Sequence, residues 1–278
     1  MNVGIVGMGL IGGSCAKAFK ENSDAAVYIL DTDKALSDFL VMNDLFDGVL
    51  DDKTIGICDL IIISVYPQAI VEFLNSKAYL IKPNAYVIDM GGIKREICKT
   101  GFSLAEKYGF TFVGGHPMAG LQFSGYKYSR ANLFSGASMI IVPPTYDDPE
   151  LLFKVKELLE PMKFGSFKIT NAEEHDTMIA YTSQLAHIVS NAYVKSDLAY
   201  NHRGFSAGSF RDLTRVAKLN PGMWTEIFAS NRKPLLECLD TLITELEKYK
   251  QALISEDDES MYALLDDGRK IKEKIDRR

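Results

Sequence analysis

Three glycines near the amino terminus constrain the fold of this chain more than any other feature. The segment "GIVGMGLIGGS" places Gly7, Gly9 and Gly12 directly after the apolar run 2–6 and at the start of a helical pattern. A Gly-x-Gly-x-x-Gly spacing between a strand and a helix is typical of a Rossmann-like unit that binds a dinucleotide. These glycines permit a tight turn, admit a pyrophosphate and let the helix pack against the strand. The alternative is a glycine-rich turn used only for packing, which the strand and helix context disfavours.

An acidic residue at the end of the second predicted strand bears on which dinucleotide binds. Asp31 lies 19 residues beyond Gly12, in the segment "LDTDK", which contains no arginine. A carboxylate there accepts hydrogen bonds from ribose hydroxyls and repels a 2′-phosphate, so we predict NAD rather than NADP, with the strictness left open by Lys34. The predicted cofactor-binding residues are Gly7, Gly9, Leu10, Ile11, Gly12, Asp31, Val65 and Gly92.

Short apolar runs alternate with helical patterns through residues 1–170. The runs are rich in β-branched residues and continuous, which is typical of strands buried on both faces of a parallel sheet. They cover 2–6, 26–30, 59–65, 85–89, 110–113, 138–143 and 165–169, with a helix predicted over 147–162. We therefore expect an α/β Rossmann-like parallel-sheet domain over residues 1–170.

From Asn171 onward the strand pattern stops, which predicts an all-α domain over residues 171–278. Residues 172–198 fit one long, mostly buried helix. Farther on, apolar residues recur every three or four positions and form one stripe along a helix: Leu235, Leu239, Leu242, Leu246, Tyr249 and Leu253. This stripe is as compatible with a core-facing helix as with a seam between subunits.

Composition and charge argue against several classes of protein. The formal net charge of −6 disfavours a broad basic face for nucleic acid. No apolar run approaches the roughly 20 residues that cross a bilayer. The amino terminus enters a folded pattern without a basic leader, so we expect a cytoplasmic protein with no membrane partner. Four scattered cysteines without a CxxC pair predict reduced thiols and no metal site.

The segment "VGGHPMAG" places a histidine, His116, between glycines and a proline, just after the apolar run 110–113. Open α/β sheets bind ligands at the carboxyl ends of their strands, where this histidine is predicted to lie. It has two interpretations, a turn residue that caps the chain through its side chain or a general base. We favour the base, because imidazole is suited to proton transfer near neutral pH.

Three segments give the chain a resemblance to a known family. "GGHPMAG", "SGYKYSRANLFSGASMIIVPP" and "SFRDLTRVAKLNPGMWTEIF" resemble the prephenate/arogenate dehydrogenases of tyrosine biosynthesis, over nearly the whole chain. The resemblance implies NAD-dependent oxidative decarboxylation of prephenate to 4-hydroxyphenylpyruvate, in a cleft between a Rossmann-like domain and a helical domain that forms a homodimer. It implies that His116 takes the proton of the ring hydroxyl as hydride passes to NAD⁺, while the ring carboxylate leaves as CO₂.

The resemblance also implies a set of substrate-binding residues. Arg215 matches an arginine that binds a substrate carboxylate, for which a planar guanidinium is the natural partner. The other implied positions are Gln122, Ser183, His187, Asp212, Met223 and Trp224, the last three reaching across from the other subunit. Alternatives remain open: Ser183 with His187 as a hydrogen-bonded pair inside the helical domain, and Trp224 as a core or interface anchor. His175 is predicted to be structural.

Two positions depart from the family's pattern. Relatives commonly carry a serine where this chain has Gly92, and that hydroxyl helps to orient the histidine, so we expect water or a backbone group in its place. Relatives that accept arogenate tend to carry an acidic residue where this chain has Gln122. A neutral glutamine cannot pair with the ammonium group of arogenate but can donate to the keto oxygen of prephenate, so we predict prephenate as the preferred substrate.

Other functions remain as alternatives. Within the family these are arogenate dehydrogenase and dual-specificity cyclohexadienyl dehydrogenase activity. A β-hydroxyacid dehydrogenase also joins a Rossmann domain to a helical one, but it typically uses a lysine in a glycine-rich helix motif that "YTSQLAHIVSNAYVK" lacks. A non-catalytic nucleotide-sensing protein would keep the fold without turnover. The missing serine at position 92 supports that reading, whereas His116 and Arg215 count against it.

Overall fold

The computed structural model describes residues 1–121 and 123–277. Within these ranges the strands are β1 (Asn2–Val6), β2 (Ala26–Leu30), β3 (Gly48–Val49), β4 (Leu60–Ile63), β5 (Tyr86–Asp89), β6 (Thr111–Pro117), β7 (Ser138–Val142) and β8 (Ser166–Ile169). The helices among them are α1 (Leu10–Asn22), α2 (Lys34–Met42), α3 (Pro67–Lys77), α4 (Arg95–Tyr108) and α5 (Pro149–Leu158). The later helices are α6 (Ala172–Ile179), α7 (Ala186–Tyr193), α8 (Gly208–Thr214), α9 (Pro221–Ser230), α10 (Arg232–Ile254) and α11 (Asp258–Asp276).

The strands form one twisted sheet in the order β3-β2-β1-β4-β5-β6-β7-β8. Its first six positions follow the 3-2-1-4-5-6 order of a dinucleotide-binding fold, so the carboxyl ends of β1, β4 and β5 lie side by side. All neighbouring pairs are parallel except β6 and β7, which run antiparallel. The predicted parallel-sheet domain followed by helices is therefore confirmed, with one antiparallel pair that the strand runs did not predict.

Apolar side chains cover both faces of the sheet. One face packs against α1, α2 and α5, where Phe19 and Leu40 are buried. The other packs against α3 and α4 through residues such as Leu74 and Ile97. Each fully buried side chain of this size contributes about 1.5–3 kcal/mol. The strands read as continuous apolar runs because both of their faces are covered in this way.

The cysteines are free thiols, and among the described residues none forms a disulfide. Cys15, Cys58 and Cys98 are buried in the sheet domain, and Cys238 is half-buried on α10. Burial is the main cause that raises the pKa of Cys58 to about 12. These thiols are therefore protonated packing residues at neutral pH.

The long helix predicted over 172–198 differs from the structure in two respects. The predicted helix over 172–198 runs continuously only to Tyr193, and a π-helical turn, Ala180–Leu185, joins α6 to α7. The leucine stripe of α10 is buried only at its beginning: Leu235 is 6% exposed, whereas Leu253 near the end is 70% exposed. Within 1–121 and 123–277, no helix combines the length and apolarity that a membrane span requires.

Candidate active site

The glycine turn after β1 has the geometry that a bound pyrophosphate requires. Gly7 has φ +89°, which L-residues rarely adopt, and a Cβ on Gly12 would lie 1.8 Å from the carbonyl oxygen of Gly7. A Cβ on Gly9 would meet nothing within 4 Å. Gly9 begins α1 without a side-chain cap from the described residues. The turn therefore leaves open space beside the first N–H groups of α1, as anion binding at a helix N-terminus needs.

The carboxylate of Asp31 accepts hydrogen bonds from the backbone beside this turn. Its Oδ2 accepts the backbone N–H of Met8 at 2.6 Å, and its Oδ1 accepts that of Asp33 at 2.9 Å. Val65 lies on the other side of the turn, with its Cγ1 2.6 Å from the position of a Cβ on Gly7. The structure thus gathers at the ends of β1, β2 and β4 most of the residues predicted to bind the cofactor: Gly7, Gly9, Leu10, Ile11, Gly12, Asp31 and Val65.

His116 lies next to the last residue of β6, near the carboxyl end of a strand as predicted, but the strand extends beyond the predicted run 110–113 to include it. β6 continues to Pro117 because its end forms an antiparallel ladder with β7, in which His116 opposes Ile140. Gly115 has no room for a side chain, since a Cβ would lie 2.5 Å from the carbonyl oxygen of Asp89. The ladder and this close approach fix the backbone that carries the half-buried imidazole.

The imidazole of His116 contacts the helical part directly. Its Nδ1 lies 2.8 Å from Nε2 of His175, and Nδ1 of His175 lies 2.7 Å from Oδ1 of Asp176. The sequence predicts only a structural role for His175, and Asp176 is not among the predicted site residues. The sequence signal for the pair is the His-Asp dipeptide near the start of the helical segment that follows Asn171.

A network of hydrogen bonds fixes the position of Asp176. Its carboxylate accepts the backbone N–H groups of Lys94 and Arg95 and the Nε–H of Arg95. Asn231, at the junction of α9 and α10, donates to the carbonyl oxygen of Asp176 at 2.7 Å and to Oε1 of Gln184 at 2.9 Å. Arg95 in turn donates to Oδ1 of Asn231 at 2.5 Å. The start of α4 is thereby tied to α6 and α10.

A buried ion pair lies beside this network. Lys94 and Asp89 are both 0% exposed and form a hydrogen-bonded pair at the end of β5. Asp89 also accepts the backbone N–H of Gly91 at 2.8 Å and that of Gly115 at 3.2 Å. Burial, then His175 and the positive charge of Lys94, hold the pKa of His116 well below its ordinary value. The imidazole is therefore neutral at pH 7 and able to accept a proton.

A second cluster contains several of the predicted substrate residues. Nδ1 of His187 lies 2.8 Å from the backbone oxygen of Ser183, so the serine hydroxyl is not the partner of this histidine. The indole of Trp224 lies against the imidazole of His187, and the ring centroids of Trp224 and Phe228 are 5.3 Å apart. Burial and then the charge of Arg215 lower the pKa of His187, against the opposing effect of the Ser183 carbonyl. Arg215 is thus close to this cluster.

The remaining predicted positions lie around these two groups. Asp212 is exposed on α8, and Met223 is half-buried in the first turn of α9. Gly92 follows β5, and a Cβ there would meet only Ile227 of α9, at 4.0 Å. Gln122 lies outside the described residues. Among those described, no group of three or more His, Cys, Asp or Glu side chains is arranged to hold a metal ion.

Comparison with known proteins identifies the family. A family profile described as "Prephenate dehydrogenase, nucleotide-binding domain" matches residues 15–167, and one described as "Prephenate dehydrogenase, dimerization domain" matches residues 171–267. The cyclohexadienyl dehydrogenase of Zymomonas mobilis is 28% identical, over 98% of this chain and 94% of its own length.

Two of the solved structures that resemble this chain cover 99% of it and are at least 25% identical to it. Prephenate dehydrogenase from Aquifex aeolicus, solved with hydroxyphenyl propionate and NAD⁺, is 28% identical, with 98% of its chain covered and a TM-score of 0.83. Arogenate dehydrogenase from Synechocystis is 25% identical, with 100% of its chain covered and a TM-score of 0.80. With a Rossmann-like turn, a histidine at the boundary with the helices and both domain profiles matched, this chain belongs to the prephenate dehydrogenase family.

Proposed function

We propose that this protein is an NAD-dependent prephenate dehydrogenase, which converts prephenate to 4-hydroxyphenylpyruvate in tyrosine biosynthesis. The observation that carries the proposal is the position of the His116 imidazole, which the ladder with β7 and the contact with His175 hold where the sheet meets the helices. Membership of the family makes the protein an oxidoreductase. The choice of prephenate over arogenate, the cytoplasmic location and the residue roles below are parts of the proposal.

The cofactor is NAD, as the nucleotide-binding profile and the NAD⁺-bound relative indicate. The open space beside Gly9 and the uncapped start of α1 fit its pyrophosphate. The carboxylate of Asp31 would hold the adenosine ribose, and Val65 and Gly92 would border the nicotinamide end. When bound, the cofactor supplies a hydride acceptor. The part of the chain over 1–170 is the proposed nucleotide-binding domain.

His116 is the proposed general base. Its Nδ1 is engaged by His175, so Nε2 is the nitrogen available to a substrate. In the proposed reaction the O–H bond of the ring hydroxyl breaks and its proton moves to Nε2. The hydride leaves the ring carbon that bears this hydroxyl, and the C–C bond between the ring and its carboxylate breaks to release CO₂. Removing the hydroxyl proton in this way contributes about 10²–10⁴-fold to the rate.

The cluster of Arg215, His187 and Trp224 is the proposed pocket for the substrate's carboxylates. A guanidinium pairs with a carboxylate in two parallel hydrogen bonds, which would orient the ring toward His116. The indole packed on His187 gives the pocket a rigid apolar wall. Ser183, Met223 and Asp212 complete the proposed lining.

We also propose a homodimer formed by the helical domain over 171–278. The matched dimerization profile supports it, as do the large apolar side chains that α10 and α11 leave exposed, among them Leu246, Leu253 and Tyr262. In such a dimer the exposed half of the α10 stripe is a subunit seam, while Leu235 serves the core. Asp212, Met223 and Trp224 would then contribute to the site of the second protomer.

The substrate preference rests on the chemistry of Gln122. An amide can donate to the keto oxygen of prephenate, whereas it provides no charge to pair with the ammonium group of arogenate. Losing such a desolvated charge partner costs about 1.5–3 kcal/mol, so prephenate is expected to react with a roughly tenfold to hundredfold higher kcat/KM.

Steady-state kinetics with the purified full chain test these points. NADH formation is measured with prephenate and arogenate, each with NAD⁺ and NADP⁺. An equal or higher kcat/KM with arogenate would overturn the proposed substrate preference. No turnover with either substrate would overturn the proposed dehydrogenase activity. The variant His116→Asn should lose about 10²–10⁴-fold in kcat and keep its affinity for NAD, since it removes only the base. A nucleotide-sensing protein would show no turnover to lose.

A further inference from the structure

Two imidazoles and a carboxylate form an unbroken hydrogen-bonded line across the boundary between the sheet and the helices. Nδ1 of His116, on β6, lies 2.8 Å from Nε2 of His175, on α6. Nδ1 of His175 lies 2.7 Å from Oδ1 of Asp176. His175 is 2% exposed and Asp176 is 0% exposed, so bulk water does not compete for these bonds. Donors and acceptors must therefore alternate along the line.

Asp176 sets the direction of this alternation. Its Oδ1 accepts the N–H of Lys94 at 2.7 Å, and its Oδ2 accepts the N–H and Nε–H of Arg95, each at 3.0 Å. Burial raises the pKa of Asp176, but hydrogen bonds from His175 and Arg95 outweigh that effect and hold the pKa below its ordinary value. The group is thus an ionised carboxylate, which can only accept hydrogen bonds.

The same alternation of donors and acceptors fixes which nitrogen of each imidazole carries a proton. Because Nδ1 of His175 faces a carboxylate, it carries the proton, and Nε2 of the neutral ring is an acceptor. Nδ1 of His116 must donate to that acceptor, which leaves Nε2 of His116 without a proton. One further proton on the pair places a hydrogen on Nε2 of His116 whichever ring holds the charge, so the two rings titrate as a unit.

Charged groups from several elements face this pair. Lys94 and Asp89 form their buried ion pair at the end of β5, Arg95 begins α4, and Asp176 is on α6. Burial and the charge of Lys94 lower the pKa of His175, and Asp176 opposes them only in part. Both rings are therefore neutral near pH 7.

We propose that His175, held by Asp176, is a positioning residue that fixes the tautomer of His116 with its proton on Nδ1 and a bare Nε2. The inference rests on the proposed function, in which Nε2 takes the proton of the substrate hydroxyl. When that O–H bond breaks, a new N–H bond forms at Nε2, and the proton between His116 and His175 stays on Nδ1. The resulting imidazolium is stabilised by a line that ends in a carboxylate. His175 thus supplies the support expected from a serine hydroxyl at position 92.

The tautomer is directly observable in the unsubstituted protein. Nitrogen-15 NMR of histidine-labelled full-length protein at pH 7.5, with His116 assigned by comparison with His116→Asn, should show Nδ1 protonated and Nε2 bare. An Nε2-protonated His116 overturns the inference whatever the variants do. This measurement needs no substrate, so it fails or succeeds independently of the proposed function.

Two substitutions of His175 separate positioning from structure. His175→Gln keeps an amide oxygen near the place of Nε2, and His175→Leu keeps similar bulk without an acceptor. We expect kcat to fall about 100-fold in the leucine variant, with unchanged KM for NAD⁺ and a loss of the Nδ1-protonated signal from His116. The glutamine variant should recover most of the kcat and most of the Nδ1-protonated signal of His116. Thr177→Ala, which changes an exposed neighbour on α6, should match the wild type in both measurements. A leucine variant with the wild-type kcat and the wild-type tautomer would overturn the inference.

Discussion

The indole of Trp224 lies over the imidazole of His187, with ring centroids 3.8 Å apart and ring planes inclined by 30°. The same imidazole donates from Nδ1 to the carbonyl oxygen of Ser183, so two contacts fix its position. Arg215, which directly follows α8, is close enough to lower the pKa of this ring. Residues on α7, at the end of α8 and on α9 therefore bring two aromatic rings and a cation close together.

Substitution of Arg215 tests whether this cation binds a substrate carboxylate. Arg215→Ala should raise KM for prephenate roughly tenfold to a hundredfold and change kcat much less, since a hydrogen bond to a charged group contributes about 1.5–3 kcal/mol. Arg211→Ala removes an exposed arginine one turn earlier and serves as the matched control. An unchanged KM in Arg215→Ala, measured by steady-state kinetics, would remove the assignment.

Alanine substitution should affect cofactor affinity at one glycine of the nucleotide turn and stability of the fold at another. Gly9→Ala adds a methyl group to empty space, so we expect an unchanged Tm and a loss of at least about tenfold in NAD⁺ affinity. Gly12→Ala would drive a methyl group into the carbonyl oxygen of Gly7, so the fold itself should be lost or strongly destabilised. Thermal unfolding and calorimetric titration measure both effects. Wild-type NAD⁺ affinity in Gly9→Ala would place the pyrophosphate elsewhere.

Acid should affect both activity and stability through His116 and His175. Both have a pKa below the ordinary 6.5, so the unfolded chain binds protons between pH 6.5 and the folded pKa that the folded chain does not. The contribution of these two rings to stability is therefore level above pH 6.5 and falls below it, by up to about 1.4 kcal/mol per pH unit for each ring. Asp176 adds its own loss only below 3.8, its ordinary pKa.

Urea unfolding at a series of pH values measures this dependence, and His175→Gln should show a shallower loss in the same window. The acid limb of kcat/KM should likewise fall below pH 6.5, because the free enzyme must hold Nε2 of His116 unprotonated. An acid limb of kcat/KM at or above pH 6.5 would contradict the neutral state of His116 and His175 near pH 7.

Restoring a serine at position 92 should change little. A Cβ on Gly92 meets only Ile227, at 4.0 Å, so Gly92→Ser is expected to alter the free energy of unfolding by less than about 0.5 kcal/mol. Because His175 already engages Nδ1 of His116, kcat should stay within about threefold of the wild-type value. Gly115→Ala, whose Cβ would lie 2.5 Å from a backbone oxygen, is the control that should destabilise. A tenfold rise in kcat for Gly92→Ser would show that His116 lacks support.

The local chemistry of the nucleotide end could be predicted from the sequence because it is encoded by neighbouring residues. The spacing of Gly7, Gly9 and Gly12 and the acid at Asp31 specify a turn between one strand and one helix. The helical half was predicted only in class. The π-helical turn at Ala180–Leu185 and the end of α7 at Tyr193 carry no periodicity signal that separates them from a regular helix.

The sequence by itself determined the parallel-sheet domain, the helical domain and the histidine that serves as the candidate base, because strand runs, glycine spacing and a family resemblance are properties of contiguous segments. Only the tertiary structure decided which groups touch that histidine. His116 and His175 are 59 residues apart in the chain, and Asn231 reaches Asp176 across 55 residues. Such contacts depend on how α6 packs against α4 and α10 and meets the end of β6, and no single segment encodes that packing.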